Sequence, residues 1–178
     1  IVRSTEFESH VGGAELNVAS GVSLLGLHTG IISKLPANAI GELARSKVRS
    51  MNVSDDYLVW DHTEDARLGA YFYESATFPR KPQVVYDRKH SSITRISIDE
   101  FPEDMYKSTR CFHVSGITLA LCPEARTCAI EMIKRFKEAG ALISFDVNFR
   151  LNLWTGAEAK ACIEQILPYV DIFFCSED

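Results

Sequence analysis

Apolar positions along the chain fall into three regions of different period. Up to about Met51 the pattern is helical, then extended, then helical again. Leu16, Ala19, Val22 and Leu25 recur every third residue and mark one apolar face of a helix over residues 14–25. Gly12 and Gly13 precede that helix, and Gly26 suits its end. Residues 29–35 read as a buried strand, and residues 39–51, rich in good helix formers, as a second helix. From residue 52 to 98 helical periodicity fades. Residues 68–74, Gln83–Asp87 and residues 92–96 read as short strands rich in Tyr, Val and Ile, separated by polar and proline-containing stretches. They predict a small sheet inserted into, or standing off, the main body.

The third region opens near Asp99. Cys111–Ser115 reads as a strand. Pro123 stands where the first turn of a helix accepts proline, and Gly140 where that helix ends. Residues 141–146 form the next strand. Thr155 and Glu158 have capping-box spacing and start a helix ending near Leu167, after which residues 170–175 read as a third strand. Strand, helix, strand, helix, strand at this spacing implies right-handed parallel crossovers. The expected fold class is α/β, a mainly parallel sheet with helices on both faces, plus a small β lid. Residues 1–51 and 99–178 are expected to form the two parts of the α/β core, and residues 52–98 the lid insertion.

In open α/β sheets, ligands bind beyond the carboxyl ends of the strands. Here those ends carry Ser115-Gly116-Ile117, Asp146-Val147-Asn148-Phe149-Arg150 and Ser176-Glu177-Asp178. Gly12 and Gly13 add a second focus. Paired glycines admit a ligand close to the backbone, and the N–H groups opening the helix suit an oxygen-rich or anionic group. Asn17, one turn inside, offers donors and acceptors. The plainer reading is a tight turn into a helix with Asn17 solvated. The segment is neither a GxxxxGK[ST] phosphate loop nor GxGxxG, which argues against a dinucleotide-binding domain.

Bulk properties narrow the function classes. The chain has 178 residues, enough for one domain with a real core, with 46% hydrophobic and 24% charged residues. A net charge of −5 with mixed signs and no basic stripe argues against nucleic acid as a partner. The five cysteines are an odd number without the two-residue gap of zinc or redox sites, and read as reduced thiols of a cytoplasmic protein. The apolar runs are too short to span a bilayer, and no charged-then-apolar leader opens the chain. No histidine has metal-ligand spacing or a paired nucleophile, and Trp60 and Trp154 read as packing residues.

Read at length, Gly12-Gly13-Ala14-Glu15-Leu16-Asn17-Val18-Ala19 followed by Leu25-Gly26 resembles the first signature of the ribokinase-like (PfkB) sugar kinases. Val114-Ser115-Gly116-Ile117-Thr118, Phe145-Asp146-Val147-Asn148-Phe149-Arg150, Leu153-Trp154 and Leu167-Pro168-Tyr169-Val170-Asp171 are similar to the 2-keto-3-deoxygluconate kinase branch. Gly69-Ala70-Tyr71-Phe72 and Val85-Tyr86-Asp87-Arg88-Lys89 fall where these kinases place lid strands over the sugar.

The resemblance implies a kinase using ATP and Mg²⁺, a sugar acid as small-molecule partner, and a homo-oligomer formed through the β lid. It implies substrate-binding roles for Gly12, Gly13, Asn17, Tyr71, Tyr86, Arg88, Ile117, Asp146, Asn148 and Arg150. The chemistry agrees. A tyrosine offers a flat apolar face and one hydroxyl to a polyol. A guanidinium binds a carboxylate through two parallel hydrogen bonds. Tyr73 is a weaker candidate on the Tyr71 side of its strand. Each has a plainer alternative: strand packing for the tyrosines, a surface ion pair or solvation for the arginines, turn capping for Asp146 and Asn148.

Family members carry a C-terminal Gly-Ala-Gly-Asp motif whose Asp deprotonates the sugar hydroxyl. That motif does not occur in this sequence, so no catalytic residue is assigned and the chain alone is expected to be inactive. The first strand is expected upstream of Ile1, leaving an exposed apolar face or edge. Ser176 stands where relatives carry Asn in an Asn-x-x-Glu motif, and no role passes to Glu177. A fructokinase, a 5-keto-2-deoxygluconate kinase and a non-catalytic sugar-acid-binding or dimerising protein remain as alternatives.

Overall fold

The computed structural model describes Ile1 and residues 4–176 of the chain. Helix α1 (Ala14–Leu24) leads into strand β1 (Gly30–Pro36), and helix α2 (Ala39–Ser50) returns the chain to strand β2 (Ser54–Asp61). α2 starts where the Asn38 carboxamide oxygen accepts from the N–H groups of Ile40 and Gly41, at 3.0 and 3.1 Å. That satisfies two of the donors a helix start leaves open. β2 runs parallel to β1. The hairpin of β3 (Ala70–Glu74) and β4 (Gln83–Asp87) follows, antiparallel, with Tyr71 opposite Tyr86. The second half carries β5 (Cys111–Ser115), α3 (Gly116–Leu121), α4 (Pro123–Glu138), β6 (Leu142–Asp146), α5 (Gly156–Ile166) and β7 (Ile172–Phe174). β5, β6 and β7 form a parallel sheet in that order.

Alternation along β5 sets the layers. Phe112 and Val114 join the main core, where Phe112 stacks on Phe136 of α4 with ring centroids 4.4 Å apart. His113 and Ser115 point to the opposite face, where Ser115 meets α1. Helices therefore cover both faces, and the α/β class stands. α4 buries Ala125, Cys128, Ala129, Met132, Ile133 and Phe136, the three-and-four spacing of one helical stripe. Ile32, Tyr57 and Val59 pack on the same core, so the β1–β2 pair and the β5–β6–β7 sheet share it. Burial pushes the Cys128 thiol up to about 11, as suits an inert core cysteine. Cys111 and Cys175 are exposed, and all five cysteines are unpaired.

Several local expectations meet the structure closely. Gly26 and Gly140 take positive φ at the ends of α1 and α4, and Thr155 and Glu158 form the capping box of α5. Others need correction. Residues 92–96 are not a strand: Ser92–Arg95 is a 3₁₀ turn, because the Ser91 carbonyl accepts from both the N–H and the hydroxyl of Thr94. Local bonds of this kind outcompete a ladder despite the β-branched residues. Ser54–Asp61, inside the span expected as lid, pairs with β1 of the core instead. The stripe on α1 is also shorter than expected. Leu16 is buried against Val48 and Val53, but Leu25 caps the helix and is 82% exposed. Residues 116–121, which carried no predicted element, form α3.

Among the described residues, β1, β5 and β7 each pair along one edge only. Ile172, Phe173 and Phe174 of β7 stay exposed. No helix of the described residues is long and apolar enough to cross a membrane.

Candidate functional site

The hairpin reaches back to the glycine turn. A Cβ placed on Gly12 would lie 3.7 Å from the Tyr71 hydroxyl. Tyr71 and Tyr86, opposite each other in the ladder, hold their rings 6.1 Å apart. The Arg88 guanidinium lies over the Tyr86 ring at 4.2 Å, a cation–π contact. The other hairpin face carries Phe72, which meets Phe7 edge-on at 5.6 Å. Gly12, Tyr71, Tyr86 and Arg88 thus form one continuous surface. Tyr73 shares the Tyr71 side but makes no aromatic contact with Tyr86. Asn17 is exposed near the start of α1, its N–H donating to the Gly13 carbonyl at 2.9 Å.

A second group gathers at the ends of β5 and β6. Ser115 pairs in register with Asp146, so the turn into Ile117 lies beside the loop through Asn148. Only glycine fits at position 116: a Cβ there would sit 2.1 Å from the Val147 carbonyl oxygen. The Asp146 carboxylate accepts from the Asn148 N–H at 3.1 Å, and Asn148 takes the left-handed conformation its side chain tolerates. This is the turn-capping geometry weighed as the plainer reading, and it also fixes where the loop points. Arg150 is exposed and donates to the Phe149 carbonyl at 2.8 Å. Among the described residues neither Arg150 nor Arg88 has a carboxylate partner. Arg150 also makes no hydrogen bond to the tyrosine hairpin. Ser176 follows β7, while Glu177 and Asp178 lie outside the described residues.

The two groups are joined by Glu15, a residue with no role assigned from its motif. One oxygen of the Glu15 carboxylate accepts from the Ser115 N–H at 3.0 Å, the Ser115 hydroxyl at 2.8 Å and the Thr118 hydroxyl at 2.6 Å. Behind it, His113 shares a hydrogen bond of 2.9 Å with the Ser144 hydroxyl. Burial lowers the His113 imidazole below its ordinary value, against the opposing pull of Glu15 and Asp146. The sole sequence signal for Glu15 was its place in the glycine signature.

The stem of the hairpin has its own anchor. Arg95 bridges Asp61, at the end of β2, to Asp65, which leads toward β3, and also donates to the Thr63 hydroxyl at 2.6 Å. Lys34 of β1 donates to the Arg95 carbonyl at 3.1 Å and to Glu100 at 2.6 Å. Trp60 and Trp154 pack as expected, Trp154 buried and both beneath arginines.

A glycine-opened helix facing a tyrosine lid at the carboxyl ends of parallel strands is the architecture of a sugar kinase. The chain belongs to the pfkB family of carbohydrate kinases, whose profile matches residues 1–178. It is 37% identical over 175 residues to the 2-dehydro-3-deoxygalactonokinase of Haloferax volcanii, covering 98% of this chain and 54% of that protein. The crystal structure of 2-dehydro-3-deoxygluconokinase from Thermotoga maritima superposes with a TM-score of 0.91 at 34% identity, over 97% of this chain and 52% of that one. A sugar kinase of Pyrococcus horikoshii in complex with ATP superposes with a TM-score of 0.84 at 28% identity, over 97% and 56% of the two chains. The chain therefore spans about half the length of the relatives it matches.

Proposed function

We propose that this chain is the sugar-binding half of a kinase that transfers the γ-phosphate of ATP to 2-keto-3-deoxygluconate. The observation that carries the reading is the Tyr71 hydroxyl set over Gly12, with the Tyr86–Arg88 stack beside it. A polyol lies against the glycine turn and the adjoining tyrosine faces. Its carboxylate takes the guanidinium edges of Arg88 and Arg150, which the protein's own described acids leave free. Ile117, Asp146, Asn148 and Asn17 complete the sugar contacts. The relative from Haloferax volcanii is named for the keto-deoxy galactonate, so that epimer is the second substrate to test.

ATP and Mg²⁺ are co-reactants of this reaction. Among the described residues no group of three or more His, Cys, Asp or Glu side chains is placed to hold a metal ion. The part of these residues is to bind, orient and shield the sugar. Residues 1–51 and 99–178 act as the core and the hairpin within residues 52–98 as its lid.

Titration calorimetry on the chain without ATP tests this. Heat of binding is expected with 2-keto-3-deoxygluconate and not with fructose, and incubation with ATP and Mg²⁺ yields no phosphorylated sugar. Equal binding of both sugars would remove the role of the two arginines.

Self-association through the lid belongs to the same reading. Tyr73, Val84, Val85 and Phe78 are exposed on the hairpin, and a second copy is the occupant proposed to cover them. Sedimentation is expected to give a dimer for the natural sequence and a monomer for Val85→Asp. A dimer of unchanged affinity in that variant would place the interface elsewhere.

A further inference from the structure

Glu15 sits in the first turn of α1, two positions beyond Gly13, and none of its chemistry is used by the sugar site itself. Its Oε1 takes three hydrogen bonds, all from residues one hundred or more positions away in sequence. Ser115, which supplies two of them, is fully buried at the end of β5. Thr118, which supplies the third, lies in α3, and Ile117 stands between the two. The carboxylate also lies at the positive end of the α1 dipole, which favours its charge there.

We propose that Glu15 is the positioning residue of the sugar site: it locks the Gly12–Gly13 turn to the strand edge carrying Ile117 and Asp146. The inference rests on the sugar-kinase reading for its kinetic consequence, but not for its geometry. Three bonds to one charged oxygen fix both distance and angle between α1 and β5. Ser115 passes the constraint to β6, because it is the register partner of Asp146. Gly116 packs against the Val147 carbonyl without slack, so the β5 end cannot slide separately from the β6 loop. Without Glu15, the buried Ser115 N–H loses its acceptor and the glycine turn loses its polar tie to β5, keeping the apolar contacts of Val11 and Leu16. A shift of about 1 Å at such a turn is enough to cost a large factor in productive sugar binding.

The test uses Glu15→Ala, Glu15→Gln and Thr118→Val in the complete enzyme. Glu15→Ala is expected to raise the sugar KM about tenfold or more, with the ATP KM within about twofold. Glu15→Gln, which keeps an acceptor oxygen but no charge, falls between Glu15→Ala and the natural protein. Thr118→Val shifts the sugar KM the same way, and adding it to Glu15→Ala changes nothing further, because both act through one oxygen. Amide exchange gives a readout free of any assumption about substrate: Ser115 N–H exchanges slowly in the natural protein and fast in Glu15→Ala, while Val114 stays slow. A sugar KM unchanged in folded Glu15→Gln and Glu15→Ala overturns the proposal, as does a parallel rise in both KM values. Slow Ser115 exchange in Glu15→Ala overturns it too. An enzyme that rejects keto-deoxy acids but accepts another sugar sinks the substrate reading alone, and the same KM comparison is then made on that sugar.

Discussion

On the proposed reading, Arg150→Ala in the complete enzyme is expected to raise the KM for 2-keto-3-deoxygluconate by about 10- to 100-fold, the loss of one hydrogen-bonded charge pair. kcat changes far less, because the carboxylate is bound alike in ground state and transition state. The expectation follows from what Arg150 does not do in the protein. It is exposed, donates only to the neighbouring Phe149 carbonyl, and faces no described carboxylate. Among the described residues its charge is therefore free for a ligand, and removing it breaks no ion pair there. Arg150→Lys recovers little, since an ammonium cannot make the paired planar contact. Arg88→Ala acts in the same direction and also removes the cation that lies over Tyr86. Steady-state kinetics with fructose as control settles the matter. If the acid and the neutral sugar lose equally, the arginines support the lid and do not read the carboxylate.

What could be read from the sequence divides along the distance over which each feature is determined. The capping box at Thr155 and Glu158 is complete within four residues, and α5 begins where it says. Pro123 and Gly140 bracket α4 locally, so its two ends were legible. β4 was found at its observed ends because Val84, Val85 and Tyr86 favour a pleated strand. β2 was missed because Ser54, Asp55 and Asp56 open it with polar residues, and its partner β1 lies across a whole helix. Ser92–Arg95 was misread because Ile93 and Thr94 suggest a strand while the Ser91 bonds that bend it are invisible to periodicity. The site follows the same rule. The glycine turn, the tyrosines and the strand-end loops were legible as separate motifs. The tether joining them was not, since Glu15 and Ser115 are one hundred residues apart and only the parallel fold brings them together.

Replacing Asp61 by Asn is expected to destabilise the protein by about 2 kcal/mol at neutral pH, with a difference that vanishes in acid. Asp61 ends β2 with its side chain only 2% exposed. Burial alone would raise its carboxyl above the ordinary value. Hydrogen bonds led by those from Thr63, together with the Arg95 charge, outweigh that and bring it from 3.8 down to about 2. A carboxyl whose pKa is depressed by folding stabilises the native state above its unfolded value and loses that contribution as pH falls through its folded one. The window is therefore from about pH 4 down to about pH 2. Asn keeps an acceptor for the Thr63 N–H and hydroxyl but gives Arg95 no opposite charge. Arg95 then holds Asp65 alone, an exposed partner worth little. Because Arg95 joins the end of β2 to the stem of the lid, the loss loosens that stem first. For a chain of this size the change corresponds to a drop of about 4–8 °C in melting temperature at pH 7. Melting curves of both proteins across pH 2 to 7 decide it: a gap that closes below about pH 4 identifies the ionised Asp61. A gap of constant size assigns the loss to packing instead.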